Sequence, residues 1–291
     1  MNLGLYLQAA VSGVLVGGLF GLMAVGLSLT WGMLRIINLA HFAMILLSGY
    51  LTYEIATSFR VDPLLTVAVT APLMFLIGAA LQWGFQVRRV SEFNSLLVTF
   101  GLFIVTIQLI TNQWSADFRR LPPDLNPYAT QAVNLGPLVF PTTTLIAFAV
   151  AVVVVGAGHL ALVRTYPGRA LRAFAQDRGI AAAFGIDHQR LAMILSGAAG
   201  ATAAVAGMLY AVESTLTPSV AFEWIGIVFA VVIIGGVGNI LGTLLAGGLV
   251  MMVASVVSVI WSPSFAPFVV FSAIVAALLF RPHGLFSRKR V

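Results

Sequence analysis

The sequence predicts an all-α integral membrane protein with about nine spanning helices. Three observations predict it. Hydrophobic residues fill 60% of the 291 positions and charged residues only 8%, with a mean hydropathy of +1.04. No soluble domain buries that much apolar surface, so the solvent is lipid. The apolar residues fall into runs of about 20, the length a helix needs to cross a bilayer. The basic residues gather in every second connection between those runs, which gives the chain an orientation.

Taken in order, the candidate spans are residues 10–31, 37–57, 64–86, 94–113, 140–163, 190–212, 222–236, 240–260 and 266–280. The seventh is short and ends in the glycine-rich IIGGVGNILG, Ile233–Gly242. A broken or re-entrant segment is the alternative to a full crossing there, so the range is eight to ten spans. The opening MNLGLYLQAAVSG has no positive residue ahead of its apolar run and no well-placed small-residue cleavage site, so the first span is expected to stay.

Placing the N-terminus outside puts Arg35, Arg88, Arg89, Arg164, Arg169, Arg172, Arg178, Arg190, Arg281, Arg288, Lys289 and Arg290 on inward segments. Only Arg60, Arg119 and Arg120 fall outside, and the C-terminus is cytoplasmic. The net charge of +6 is then a matter of topology, and no surface for nucleic acid is required. With no cysteine, the chain has no disulfide and no thiolate metal site. Residues 1–291 read as a single transmembrane domain. Residues 114–139, with several prolines and mixed charges, form an external loop that is either a small platform or a solvated connection.

One inward segment is unlike the rest. RTYPGRALRAFAQDRGIAAAFGIDHQR, Arg164–Arg190, carries five arginines and two aspartates. Seven charges at a bilayer centre would cost about 20 kcal/mol, at about 3 kcal/mol each. The segment therefore lies outside the membrane, as a cytoplasmic loop over 164–190. Ala170–Gln176 is rich in helix formers, and Gly179 and Gly185 punctuate two short helices, with Gly185 as a C-terminal cap. Leu171 and Phe174 share one face and Arg169 and Arg172 another. Such a helix suits docking into a partner; the plainer reading is a solvated loop whose charges set topology alone.

Polar residues inside the spans are the remaining signal, because lipid makes them costly. Asn38 and His41 stand three apart at the inner end of span two, on the pathway or as packing ties between helices. Glu213, with Ser214, Thr215 and Thr217, ends span six, and Glu223 opens span seven. Either carboxylate could meet an ammonium group or a binding protein, or simply sit at the interface. Asn239 lies in the glycine-rich break, where irregular backbone needs protein or a water-filled cavity beside it. The glycines of GVLVGGLFG, Gly13–Gly21, point to close helix contact.

The Gly235–Gly242 run is no phosphate loop, lacking a following Lys-Ser/Thr and a preceding strand. His159 and His188 are isolated and take no ligand role. No metalloprotease or Gly-x-Ser-x-Gly signature occurs, which argues against an intramembrane enzyme. Apart from Glu54, the acidic residues fall in loops or at span ends, which disfavours a self-sufficient secondary transporter.

Four pieces in order carry a resemblance: Ile37–His41 (INLAH), Gly168–Asp187 (GRALRAFAQDRGIAAAFGID), Gly235–Gly248 (GGVGNILGTLLAGG) and Arg281–Phe286 (RPHGLF). Together they are similar to the permease family of ABC importers for branched-chain amino acids. The resemblance implies an importer permease architecture in which the 164–190 loop carries a coupling helix for a separate ATPase. Arg169, Arg172, Asp177 and Arg178 match that loop motif, with Leu171 and Phe174 as the apolar anchor. It also implies a second permease chain, a paralogue, together with two ATP-binding subunits and a periplasmic substrate-binding protein. ATP-Mg would sit on those partners, with no cofactor on this chain, in a bacterial inner membrane. The implied solute is a branched-chain or other small hydrophobic amino acid. Leu39 and Phe42 stand where the family has Phe and a small Gly. A Phe42 lining the pathway would change its shape, which leaves urea, short amides, aromatic or organic acids open as alternatives. Ser287 replaces the final Gly of the last motif.

Overall fold

A computed structural model describes residues 3–280 and 284–286. Its elements run α1 (Leu3–Leu29), a π-turn (Thr30–Leu34), α2 (Ala40–Phe59), a 3₁₀ turn (Pro63–Thr66), α3 (Val67–Val87), α4 (Glu92–Trp114), β1 (Ala132–Leu135) and β2 (Leu138–Pro141). They continue with α5 (Thr142–Arg164), α6 (Tyr166–Gln176), α7 (Arg178–Ala183), α8 (His188–Glu213), α9 (Val220–Gly235), α10 (Ile240–Ile260) and α11 (Phe265–Phe280). Among the described residues, seven helices are long and apolar enough to cross a membrane, while α9 and α11 are apolar but shorter. At 16 residues each, these two are about 24 Å long. An apolar helix thus stands at each of the nine expected runs, although α1 begins at Leu3 rather than at residue 10.

Helix ends are where backbone groups lose their partners, and here side chains take them up. Asp62 Oδ1 accepts from the Leu64 amide at 2.8 Å. Ser91 Oγ accepts from Asn94 at 3.2 Å. Asp187 Oδ1 accepts from both Gln189 and Arg190 at 3.1 Å, opening α8. α1 ends differently, in the π-turn closed by Arg35 at φ 60°.

α1, α2 and α8 are mostly buried, and α3, α4 and α5 surround them with most of their surface exposed. Residues such as Leu76, Phe93, Leu109 and Val153 face outward, as lipid-facing surface requires. A close seam joins α1 to α10. A Cβ on Gly13 would stand 2.6 Å from the Met251 carbonyl oxygen, and one on Gly17 2.5 Å from the Gly248 Cα. The stripe Gly13, Gly17, Gly21 thus brings two backbones into contact, as small residues at four-residue spacing allow in lipid.

Two features depart from the sequence reading. The 114–139 connection contains a β-hairpin, with Val133 opposite Phe140 and Asn134 opposite Val139. Gly136 takes the first turn position at φ 64° with Pro137 after it, the arrangement that gives a two-residue turn its hairpin twist. The Gln8 side chain clamps the hairpin to α1, donating to the Val139 carbonyl at 2.6 Å and accepting from its amide at 3.1 Å. The glycine-rich break is a tight turn of residues 236–239 joining α9 to α10, with Gly236 at φ 89° and Gly238 at φ 84°.

Candidate translocation path and coupling elements

α6 and α7 lie at one end of the bundle and the hairpin at the other. Thr165 caps α6, its hydroxyl accepting from Gly168 at 3.2 Å, and Pro167 stands in the first turn. The helices part at Asp177 rather than at Gly179, because Asp177 Oδ1 accepts from the Ile180 amide at 2.9 Å and so starts α7. Gly179 lies inside α7, whereas Gly185, at φ 76°, follows its end as expected.

On α6 the two faces separate as the spacing implied. Arg169 and Arg172 are exposed, while Leu171 and Phe174 are buried in the chain's own core, Phe174 at 6% exposure. The Arg172 Nη2 donates to the Val163 carbonyl at 3.3 Å, at the end of α5. The apolar side chains the segment leaves outward are Tyr166, Ile180 and Phe184, the last 81% exposed. Arg178 opens α7, and its side chain lies outside the described residues.

A groove of about 740 Å³ separates α6 from the α9–α10 turn, with Arg172, Gln176, His159, Gly238, Asn239 and Phe286 on its walls. Asn239 is fully engaged there. Its Oδ1 accepts from Gly242 at 3.0 Å to cap α10, and its Nδ2 donates to the Phe286 carbonyl at 2.8 Å. Ser28 ties the turn to α1, accepting from the Gly238 amide at 3.0 Å and from the Thr243 hydroxyl at 3.1 Å. Of the RPHGLF motif, Arg281, Pro282 and His283 lie outside the described residues.

At the start of α2, His41 Nε2 is 2.9 Å from the Met23 carbonyl, in a buried helix-to-helix contact. Phe42 is fully buried, stacked on Phe229 with centroids 6.3 Å apart. Asn38 is also buried, yet its Oδ1 meets no hydrogen-bond partner among the described residues. Thr99, which sequence reasoning passed over, holds this entry open as a non-helical stretch. Its hydroxyl accepts from the Leu39 amide at 3.1 Å and lies 3.2 Å from the Ile37 carbonyl. A threonine in an apolar run carries little signal alone; only the fold places it against the Leu39 amide and the Ile37 carbonyl.

At the hairpin end, Glu213 Oε1 accepts from the Thr144 hydroxyl at 2.7 Å, and Oε2 is buried without a partner among the described residues. The Tyr210 ring meets Trp224 edge-on at 4.7 Å, and Glu223 is exposed in the first turn of α9. The five residues expected on the path therefore split between the two ends. Asn38, His41, Phe42 and Asn239 lie toward α6, and Glu213 lies beneath the hairpin.

A family model described as branched-chain amino acid transport system / permease component matches residues 9–280. The chain is 25% identical over 302 aligned positions to the high-affinity branched-chain amino acid transport system permease protein BraD of Pseudomonas aeruginosa, covering 98% of this chain and 97% of that one. It is 26% identical, with the same coverage, to the LivH permease protein of Salmonella typhimurium. It is 23% identical to a probable branched-chain amino acid transport permease protein LivH of Methanocaldococcus jannaschii, over 94% of this chain and 90% of that one. No solved structure is significantly similar to it. With apolar helices along its whole length and a family match over nearly all of it, the chain belongs to the branched-chain amino acid transport permeases, which are transport subunits and not enzymes.

Proposed function

We propose that this chain is the membrane-spanning permease subunit of an ATP-driven importer in a bacterial inner membrane. It crosses nine times, with the hairpin outside and α6–α7 in the cytoplasm, and carries a branched-chain or other small hydrophobic amino acid. The observation that carries this reading is the division of α6. Arg169 and Arg172 face outward while Leu171 and Phe174 anchor the helix to its own bundle. A helix held from behind and charged in front can pass a push from an ATPase to the spans. Its arginines suit carboxylates on that partner, and Tyr166, Ile180 and Phe184 offer the apolar contact. ATP-Mg is held by two separate subunits, and a second permease and a periplasmic binding protein complete the assembly.

The path follows from the same arrangement. Asn38, His41, Phe42 and Asn239 form its inner gate, and Glu213, whose Oε2 has no partner among the described residues, stands near its outer mouth. The bulk of Phe42, stacked on Phe229 where the family resemblance expects a small residue, supports a second reading in which the solute is another small organic compound.

The test is to tag the C-terminus, extract the chain gently from its native membrane and identify what copurifies. An ATPase pair and a second permease, with ATP-dependent uptake of L-leucine after reconstitution, is the expected result. A chain that purifies alone and transports without ATP overturns it.

A further inference from the structure

Trp114, the last residue of α4, gathers three groups at the hairpin end. Its ring packs on Tyr50 with centroids 5.3 Å apart. Its Nε1–H donates to Glu54 Oε2 at 2.9 Å, and its carbonyl accepts from Arg119 Nη2 at 3.1 Å. The Arg119 guanidinium lies 6.0 Å from the Tyr53 ring centre and within electrostatic reach of the Tyr50 hydroxyl. Tyr50, Tyr53 and Glu54 stand within little more than one turn of α2, so Tyr50 and Glu54 share a face. The Arg119 backbone is fixed over the cluster by paired hydrogen bonds with Leu216, at 3.0 and 2.7 Å.

Two donors in this cluster have nothing to donate to. The Tyr50 hydroxyl, on a fully buried ring, and the buried Arg119 Nε–H both lack a hydrogen-bond partner among the described residues. Glu54 does not supply one: its carboxylate accepts from Trp114 and Ser58 instead. No carboxylate among the described residues lies in ion-pair range of Arg119. Buried donors are costly to leave unmade, so two in one cluster, one of them on a cation, call for an anionic acceptor. A carboxylate has that chemistry, accepting from a guanidinium and a hydroxyl at once. Glu54, one turn further out, adds the complementary charge for an ammonium group.

We propose that Arg119 and Tyr50 hold the carboxylate, and Glu54 the ammonium, of an amino-acid head group at the external mouth of the path. The proposal rests on the importer reading and sharpens its substrate class. A neutral solute such as urea or a short amide leaves the guanidinium unpaired, and a site built for a charge rejects a ligand that lacks it. In this conformation both donors are buried, and Asn126 Nδ2 ties the loop down to the Val212 carbonyl at 2.9 Å. The head group enters as that tie parts, while the pairing with Leu216 keeps Arg119 over Tyr50.

The test uses the permease–ATPase assembly in nanodiscs and saturation-transfer NMR with three probes: L-leucine, L-leucinamide and 4-methylpentanoate. ATP-driven L-leucine uptake with binding protein present is measured alongside. Tyr50→Phe, which keeps the ring, and Arg119→Lys, which keeps the charge, should weaken L-leucine about tenfold and erase its advantage over leucinamide. Glu54→Gln should instead erase the advantage over 4-methylpentanoate. Unchanged probe preferences in both Tyr50→Phe and Arg119→Lys overturn the site, even if uptake is intact and the importer reading stands. If wild type takes up no L-leucine but the preferences shift as expected, the site stands and the transport reading fails.

Discussion

The Phe174 ring lies nearly parallel to the His188 ring, with centroids 5.8 Å apart and planes 8° from parallel. One residue is in α6 and the other is the first of α8, so the charged element is keyed directly to a central helix. Phe174→Ala removes a buried aromatic, a change that costs about 3–5 kcal/mol in a well-packed site. The expected result is faster hydrogen exchange over 166–176 and reduced uptake, with membrane insertion intact. His188→Ala should give a milder form of both, since an aromatic pair is worth about 1 kcal/mol beyond its burial. Unaltered exchange in Phe174→Ala would detach α6 from α8 in the mechanism.

Arg169 offers the opposite experiment, because it is exposed and no hydrogen bond or ion pair of its side chain is seen among the described residues. Arg169→Glu should leave the thermal midpoint of the purified permease within about 2 °C, as surface changes do. Copurified ATPase should fall at least about tenfold, and raised salt should weaken the wild-type pair in the same direction. Normal ATPase recovery from Arg169→Glu would move the docking face elsewhere on the segment.

Much of this arrangement was legible in the chain itself, for reasons that differ from element to element. The nine apolar helices among the described residues follow from length and hydropathy because lipid admits few alternatives to a helix. The α6 faces followed from the spacing of Arg169, Leu171, Arg172 and Phe174, yet which way the apolar face pointed did not. Periodicity places two residues on one side of a helix, and only packing shows that the side belongs to His188 rather than to solvent. The β1–β2 hairpin was hidden because its strands are four residues long and its anchor, Gln8, lies in another helix. The Tyr50–Trp114–Arg119 cluster draws on α2, α4 and a loop, so no window of sequence contains it. The break falls at Asp177 and not at Gly179 because a side-chain cap, not a glycine, starts the next helix there.

The α1–α10 seam makes a strict prediction. Gly17 faces the Gly247 and Gly248 backbone, which cannot move aside as a flexible side chain could. Gly17→Val should push the helices apart, costing roughly 1–3 kcal/mol or more from overpacking, and should lower detergent-extracted yield and melting temperature. Gly156→Val, on α5 with no atom near its Cβ position, serves as control and should behave like wild type. Equal melting of the two variants would show that the seam opens without cost.

The loop over the proposed head-group site has its own pH dependence, through Tyr128. Its hydroxyl donates to Asp62 Oδ2 at 2.5 Å, and that hydrogen bond to a carboxylate raises the phenol above its ordinary value. A raised value means the folded state holds the proton more firmly than the unfolded chain does. The contribution is therefore complete below about pH 10, where a free tyrosine begins to ionise, and is lost as pH climbs through the raised value. Above that point the phenolate faces the Asp62 carboxylate and the loop loses one of its ties. Cleavage within 115–131 by subtilisin, which remains active in alkali, should rise through this window in wild type. In Tyr128→Phe the loop should already be more open at pH 8, with no further step above pH 10. A wild-type step that survives in Tyr128→Phe would assign the alkaline opening to another group.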